Sequence, residues 1–156
     1  GHPEGIDFPR AGNGWSYHYA RRQWHLVDDP NLKYRLLDQF DRDMIALVRR
    51  FDFLKAPWPS LLHEHHDDKV LIFWRGPLLF AFNFHPTRSY PDYGVAMPQG
   101  SYQMILNTDD AAYGGHARLV FDQVHFTLPL GRDESARHML KLYLPARTAL
   151  VLALQT

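Results

Sequence analysis

The alternation of apolar and polar positions changes period once along the chain. Leu32, Leu36, Phe40, Met44, Leu47, Val48 and Phe51 follow one another mostly at spacings of three and four. That spacing sets them on one stripe of an amphipathic helix. The predicted helix runs from about residue 30 to 52. Asp29 can accept backbone N–H bonds as its N-cap, and Pro30 suits the first helical position. Lys33, Arg35, Asp38, Asp41 and Arg42 fall mostly off the stripe. Arg49 and Arg50 sit at the end where the helix dipole favours cations. Pro57 and Pro59 stop any helix and mark a boundary.

Beyond residue 60 the pattern is one of short strands. Val70-Leu71-Ile72-Phe73-Trp74 is one apolar run and Leu78 to Phe84 a second, with Arg75-Gly76-Pro77 between them as a hairpin turn. Further strands are predicted at 93–97, 101–106, 116–121, 124–128, 138–144 and 148–154, with turn-forming clusters between them. Many short strands at regular punctuation predict an antiparallel β-sandwich. Ahead of the helix, residues 1–27 hold no clean period, and Gly5, Pro9, Gly12, Asn13 and Gly14 make this stretch mostly loop. Trp15, Tyr17, Tyr19, Trp24 and Leu26, with Arg21 and Arg22 among them, read as a short helix or an irregular buried segment.

Composition narrows the classes. With 46% hydrophobic and 22% charged residues the chain is a folded globular protein, not a disordered one. Its formal net charge of zero argues against a nucleic-acid or acidic-membrane partner, since those bind through positive excess. No cysteine is present, which removes disulfides and thiolate zinc sites and is compatible with the cytosol, the compartment expected here. No apolar run approaches the roughly 20 residues that span a bilayer. A chain that opens on Gly1-His2-Pro3-Glu4, without an initiator methionine or a signal peptide, is expected to be a piece of a longer one.

Candidate chemistry is sparse. His63-Glu64-His65-His66-Asp67-Asp68 carries metal-ligating types, and strand alternation would put His63 and His65 on one face. The run lies in a charged connector just before a strand, so a solvated loop is expected and no metal or other cofactor is assigned. Glycoside chemistry needs two carboxyls about 5–9 Å apart across a sugar. The adjacent pairs Asp28-Asp29 and Asp109-Asp110 do not supply that gap and are read as cap and turn formers. Gly12-Asn13-Gly14 lacks phosphate-loop spacing. Aromatic rings alternate with Arg and Asp over residues 7–24, a composition that suits either a carbohydrate cleft or a core.

Longer strings say more. Residues 1–29, from Gly1-His2-Pro3-Glu4 through Gly12-Asn13-Gly14-Trp15-Ser16-Tyr17-His18-Tyr19-Ala20-Arg21-Arg22-Gln23-Trp24 to Asp28-Asp29, closely resemble a segment of 1,4-α-glucan (glycogen) branching enzymes. The resemblance continues in Leu37-Asp38-Gln39-Phe40-Asp41-Arg42-Asp43-Met44 and in Phe80-Ala81-Phe82-Asn83-Phe84-His85-Pro86-Thr87-Arg88-Ser89-Tyr90. It recurs in Asp109-Asp110-Ala111-Ala112-Tyr113-Gly114-Gly115-His116 and closes with Leu144-Pro145-Ala146-Arg147-Thr148-Ala149-Leu150-Val151-Leu152. Residues 117–138 match poorly, and Gly5 stands where that family usually has Trp.

Such a resemblance implies a member of the α-amylase superfamily, whose parent enzymes cleave α-1,4-glucan chains and transfer them to make α-1,6 branches in glycogen. Residues 1–56 would be the end of a catalytic (β/α)8 barrel, as a loop after its last strand and its final helix. Residues 57–156 would be the C-terminal all-β domain. The family's catalytic carboxylates lie upstream of Gly1, so no residue here takes a catalytic role. His2, Glu4, Asp7, Arg10 and Trp15, in the barrel loop, are the substrate-binding candidates, with α-glucan as partner. The helix stripe Leu36, Phe40, Met44, Leu47 and Phe51, without its barrel neighbours, is expected to pack on the sandwich or on a second copy of the chain. The expected function is a structural, non-catalytic end of a branching enzyme. The alternative is a stand-alone glucan-binding sandwich, which exposed coplanar aromatics would favour and buried rings would not.

Overall fold

The computed structural model describes residues 7–20, 23–131 and 137–155. The fold is mainly antiparallel β with one long helix. The helix α1 (Tyr34–Phe51) is followed by strands β1 (Ser60–His65), β2 (Val70–Arg75), β3 (Leu78–Asn83), β4 (Tyr90–Met97), β5 (Ser101–Asn107), β6 (Val124–Phe126), β7 (Leu128–Pro129), β8 (His138–Leu144) and β9 (Thr148–Gln155). One sheet has the order β1-β2-β3-β9-β5-β6 and the other β4-β8-β7. Side chains alternate across the strands as the period-two pattern requires. Val70, Ile72, Leu79, Ala81, Tyr102, Met104, Leu150 and Leu152 of the large sheet meet Val95, Met97, Leu140, Leu142 and Leu144 of the small one. Most of these are fully buried, at roughly 1.5–3 kcal/mol for each large side chain.

The opposite face of the large sheet carries α1. Leu78, Leu106 and Val151 pack there against Phe40, Leu47 and Phe51 of the helix, with Phe53, Phe80 and Ile105 beside them. A bulge between Met104 and Leu106 skips Ile105 in the pairing with β9. The extra residue turns both Ile105 and Leu106 toward the helix while Met104 stays in the inter-sheet core. Of the two places foreseen for the stripe, the sandwich is where it packs. The stripe nevertheless divides. Met44 is 39% exposed, and with Leu37 (64%) and Ile45 (43%) it forms a second apolar line that faces away from the sheet.

Four sequence expectations are corrected. The helix begins at Tyr34, not at 30, because Asp29 Oδ1 accepts the Asn31 N–H at 2.9 Å and holds residues 30–33 in turns. The stretch predicted as solvated connector is half strand: β1 runs to His65 and pairs with β2. Residues 116–121 form no strand but a loop, with Ala117 at φ 52°. The single strand predicted at 124–128 is two, and the chain passes from the large sheet to the small one at Thr127, whose amide and hydroxyl both donate to the Gly100 carbonyl. The β2–β3 hairpin is as predicted, with Arg75 opposite Leu78 across Gly76-Pro77 and Gly76 at φ 57°.

Candidate functional site

Among the expected substrate-binding residues, Asp7 and Arg10 are brought together. Arg10 donates through Nε and Nη2 to the two Asp7 oxygens at 2.9 and 3.2 Å. Asn13 Nδ2 donates to Asp7 at 3.1 Å and to the Phe8 carbonyl at 3.1 Å. These donors, Arg10 foremost, hold the Asp7 carboxyl below its ordinary range. The knot is local, made by the 3-10 turn Ala11–Asn13 and by Gly14 in the left-handed region at φ 63°. Trp15 is tied to it only by its amide, which donates to the Arg10 carbonyl at 3.0 Å, and its ring is 67% exposed. His2 and Glu4 lie outside the described residues. The loop thus carries an ion pair with a largely exposed Arg10 side chain and, five residues on, an exposed indole: polar groups for hydroxyls and a face for sugar C–H groups.

This region is not a buried segment, contrary to one reading of its aromatics. Tyr17 and Trp24 are also largely exposed. The 3-10 turn Trp24–Val27 and the helix enclose an open cleft of about 390 Å³, in which Trp24, Leu26, Val27 and Tyr34 meet Leu37 and Met44 of the free helix line. An apolar cleft continuous with an unpartnered helix face reads as packing surface more than as a reaction chamber.

Two polar networks sit in the sandwich. In the first, Asp68 of the β1–β2 turn gathers side chains from two strands, β1 and β4. Tyr90 Oη donates to its carbonyl at 3.0 Å, Tyr93 Oη to its carboxylate at 3.3 Å, and His65 lies at 3.2 Å. With the Tyr93 hydroxyl donating to Asp68, His63 Nε2 donates to Tyr93 at 2.8 Å. Burial, reinforced by the Asp68 charge, pushes the Tyr93 hydroxyl up to about 12. His63 and His65 do share a face, with rings nearly parallel. Among the described residues no group of three His, Cys, Asp or Glu side chains is placed to hold a metal ion.

In the second network Asp109, 2% exposed, receives the Arg118 guanidinium at 2.7 Å through Nη2 and 3.1 Å through Nε. The backbone N–H groups of Arg118 (2.7 Å) and His116 (3.3 Å) add to it, and Arg118 also reaches the Ala146 carbonyl at 3.2 Å. Burial alone would raise the Asp109 carboxyl, but the Arg118 and His116 donors outweigh it and hold it low. Next to it, Asp110 caps the Ala111–Tyr113 turn by accepting from Ala112 N at 2.8 Å. Tyr113 then donates to Asp43 of α1 at 2.7 Å and meets Phe40 edge-on, which fastens the helix to the sandwich. Asn83, 1% exposed, bridges sheets by donating to the Arg88 and Leu144 carbonyls.

Sequence reasoning gave Asp109 and Asp110 turn and cap roles, which Asp110 has, but it missed the pairing of Asp109 with Arg118 and the role of Asn83. The one available signal was an Asn between rings in Phe82-Asn83-Phe84, a polar residue within an apolar run that demands a partner.

The family model described as alpha amylase, C-terminal all-beta domain, matches residues 61–155, which is β1 through β9. The 1,4-alpha-glucan-branching enzyme of Equus caballus is 47% identical over 154 residues, covering 97% of this chain and 22% of that protein. That of Emericella nidulans is 47% identical over 156 residues, 99% of this chain and 23% of the relative. That of Saccharomyces cerevisiae is 46% identical over 156 residues, 99% of this chain and 22% of the relative. The chain therefore spans about a fifth of the length of these relatives. With the matched residues forming the two sheets and their shared core, the chain belongs to the alpha amylase C-terminal all-beta domain family.

Proposed function

We propose that this chain is the C-terminal part of a 1,4-α-glucan branching enzyme, structural and non-catalytic by itself, acting in glycogen synthesis in the cytoplasm. The observation that carries the reading is the reach of the similarity. Identity of 47% extends over 97% of the chain, so it includes the loop and helix ahead of the all-β match at 61–155. A shared sandwich alone would leave the first sixty residues unlike.

The helix supports this reading. Its two apolar lines suit a helix clamped between two bodies: Phe40, Leu47 and Phe51 on the sandwich, and Leu37, Met44 and Ile45 turned outward. We assign residues 1–56 to the end of a (β/α)8 barrel and the outward line to the barrel's other elements. The sandwich then covers the barrel's last helix. The parent would cleave an α-1,4 linkage and transfer the chain to a 6-hydroxyl. His2, Glu4, Asp7, Arg10 and Trp15 would contact the α-glucan, the last three from the ion-paired loop described above.

A stand-alone glucan-binding module is disfavoured by the sheet's aromatics. Phe73 stacks between Phe80 (5.2 Å) and Phe82 (5.8 Å), and Phe82 in turn against Phe84 (5.4 Å). The faces of Phe73 and Phe82 are occupied by neighbouring rings and are not open to a sugar. The test is a chimera in which this chain replaces its counterpart in the Saccharomyces cerevisiae enzyme. The reading expects branching of amylose within about tenfold of the parent enzyme. A folded, soluble chimera that makes no α-1,6 linkages would overturn it.

A further inference from the structure

At the edge of the sandwich lies a polar cavity of about 310 Å³, between the loop after β5 and the β8–β9 turn, that the proposed glucan contacts do not use. Its floor is the Asp109–Arg118 pair. The two parallel bonds from Nε and Nη2 neutralise Asp109 and lock Arg118, so neither group repels or captures a further ion strongly. The charge of the cavity comes from what stands around that pair. The Arg147 and His116 side chains line it, and neither has a hydrogen-bond or ion-pair partner among the described residues. Thr108 Oγ1 accepts from Ala149 N at 2.9 Å, which leaves its hydroxyl proton to donate. Arg147 is also held at φ 58°, a left-handed conformation that Gly or Asn adopts more readily than Arg. The left-handed backbone fixes where the Arg147 side chain leaves the β8–β9 turn, at the rim of the cavity it lines. No phenyl or indole ring is among the described residues of the wall, so there is no platform for an uncharged sugar.

We propose that this cavity binds a phosphate dianion, either free or carried on a sugar, with the Arg147 guanidinium as its main ligand and His116 and Thr108 completing the donor set. Guanidinium, imidazole and hydroxyl donors lining one concave surface suit the acceptor-only oxygens of that anion. The inference rests on the cavity and is independent of the branching-enzyme reading.

The test titrates sodium phosphate, glucose 6-phosphate, glucose and sodium chloride at constant ionic strength into the full 15N-labelled chain. Saturable amide shifts confined to residues 108–118 and 145–149 are expected with phosphate or glucose 6-phosphate. If the sugar phosphate binds more tightly, a sugar-borne source is identified; if inorganic phosphate does, the free ion is. Arg147→Asn keeps a residue that tolerates the left-handed turn and removes the charge. It should weaken binding about tenfold while leaving the melting temperature undiminished. His116→Gln serves as the second variant and should weaken binding as well. Shifts reproduced by chloride or by glucose, or phosphate affinity unchanged in both variants, would overturn the proposal.

Discussion

Single residues carry most of the polar order in this molecule. Asp109 is buried with its charge matched by Arg118, so deleting one partner leaves an uncompensated ion. Asp109→Ala is expected to cost about 3 kcal/mol in chemical denaturation. Because its folded-state carboxyl titrates below the ordinary value of 3.8, the stability it contributes is complete above that pH and is lost as pH falls through the lower folded value. Gly115 stands behind it: a Cβ there would lie 2.2 Å from the Asp109 carbonyl carbon and oxygen. Gly115→Ala should therefore destabilise by about 1–3 kcal/mol, as a backbone clash that cannot relax by side-chain rotation. His125 behaves in the opposite sense to a paired group. Burial lowers its folded-state value from 6.5, part of which a backbone hydrogen bond with Lys141 offsets, and Nε2 is buried without a partner among the described residues. The folded chain thus binds fewer protons than the unfolded one below that pH. Stability should decline as pH falls from about 6.5, and a His125→Gln chain should show a flatter melting-temperature profile between pH 6.5 and 5. None of these roles was legible in the sequence, since each depends on a partner supplied by the fold. The cap role of Asp110 was legible because Gly114 and Gly115, a few residues on, signal a turn locally.

Among the elements, α1 shows what periodicity can and cannot give. Its existence and its C-terminal end were readable from the three-and-four spacing, its start was not. Its division into two apolar lines was not, because a stripe is seen from sequence as one face and only the sheet decides which part of it is covered. Strand β1 was hidden for a different reason. Ser60-Leu61-Leu62-His63-Glu64-His65 is an edge strand with a bulge between Leu61 and His63, so polar side chains and a broken alternation conceal it. Conversely, Leu119, Val120 and Phe121 imitate a strand, while the loop that contains them must turn back to deliver Arg118 to Asp109. The helix is latched by Tyr113 and Asp43. Tyr113→Phe removes a bond to a carboxylate, worth about 1.5–3 kcal/mol, and hydrogen exchange of α1 amides should accelerate while that of β3 and β9 does not. Uniform acceleration across all three elements would show that no such latch exists.

The molecule as a whole leaves apolar surface uncovered on one side. Leu37, Met44 and Ile45 of α1 and Trp24 beside it are exposed on the side of the helix turned away from the large sheet. A surface of that kind marks an interface. In the proposed parent it is filled by the barrel, and in the isolated chain it is the surface through which copies would associate. Light scattering of the isolated chain should show mass rising with concentration, and Ile45→Glu, at a 43% exposed position, should suppress the rise with stability changed by less than about 0.5 kcal/mol. In the chimeric enzyme the same substitution should instead impair folding, because there Ile45 would be buried. Trp15→Ala in that chimera is expected to raise KM for glucan with kcat little changed, and an unaltered KM would remove Trp15 from the glucan contacts. Whether the chain is part of a branching enzyme is tested by capture of the native polypeptide with antibody to this chain, followed by its mass and its action on amylose. A polypeptide heavier than 18.2 kDa by at least a barrel, about 250 residues, that introduces α-1,6 linkages is expected. A native polypeptide of 18.2 kDa that makes no branches would contradict it.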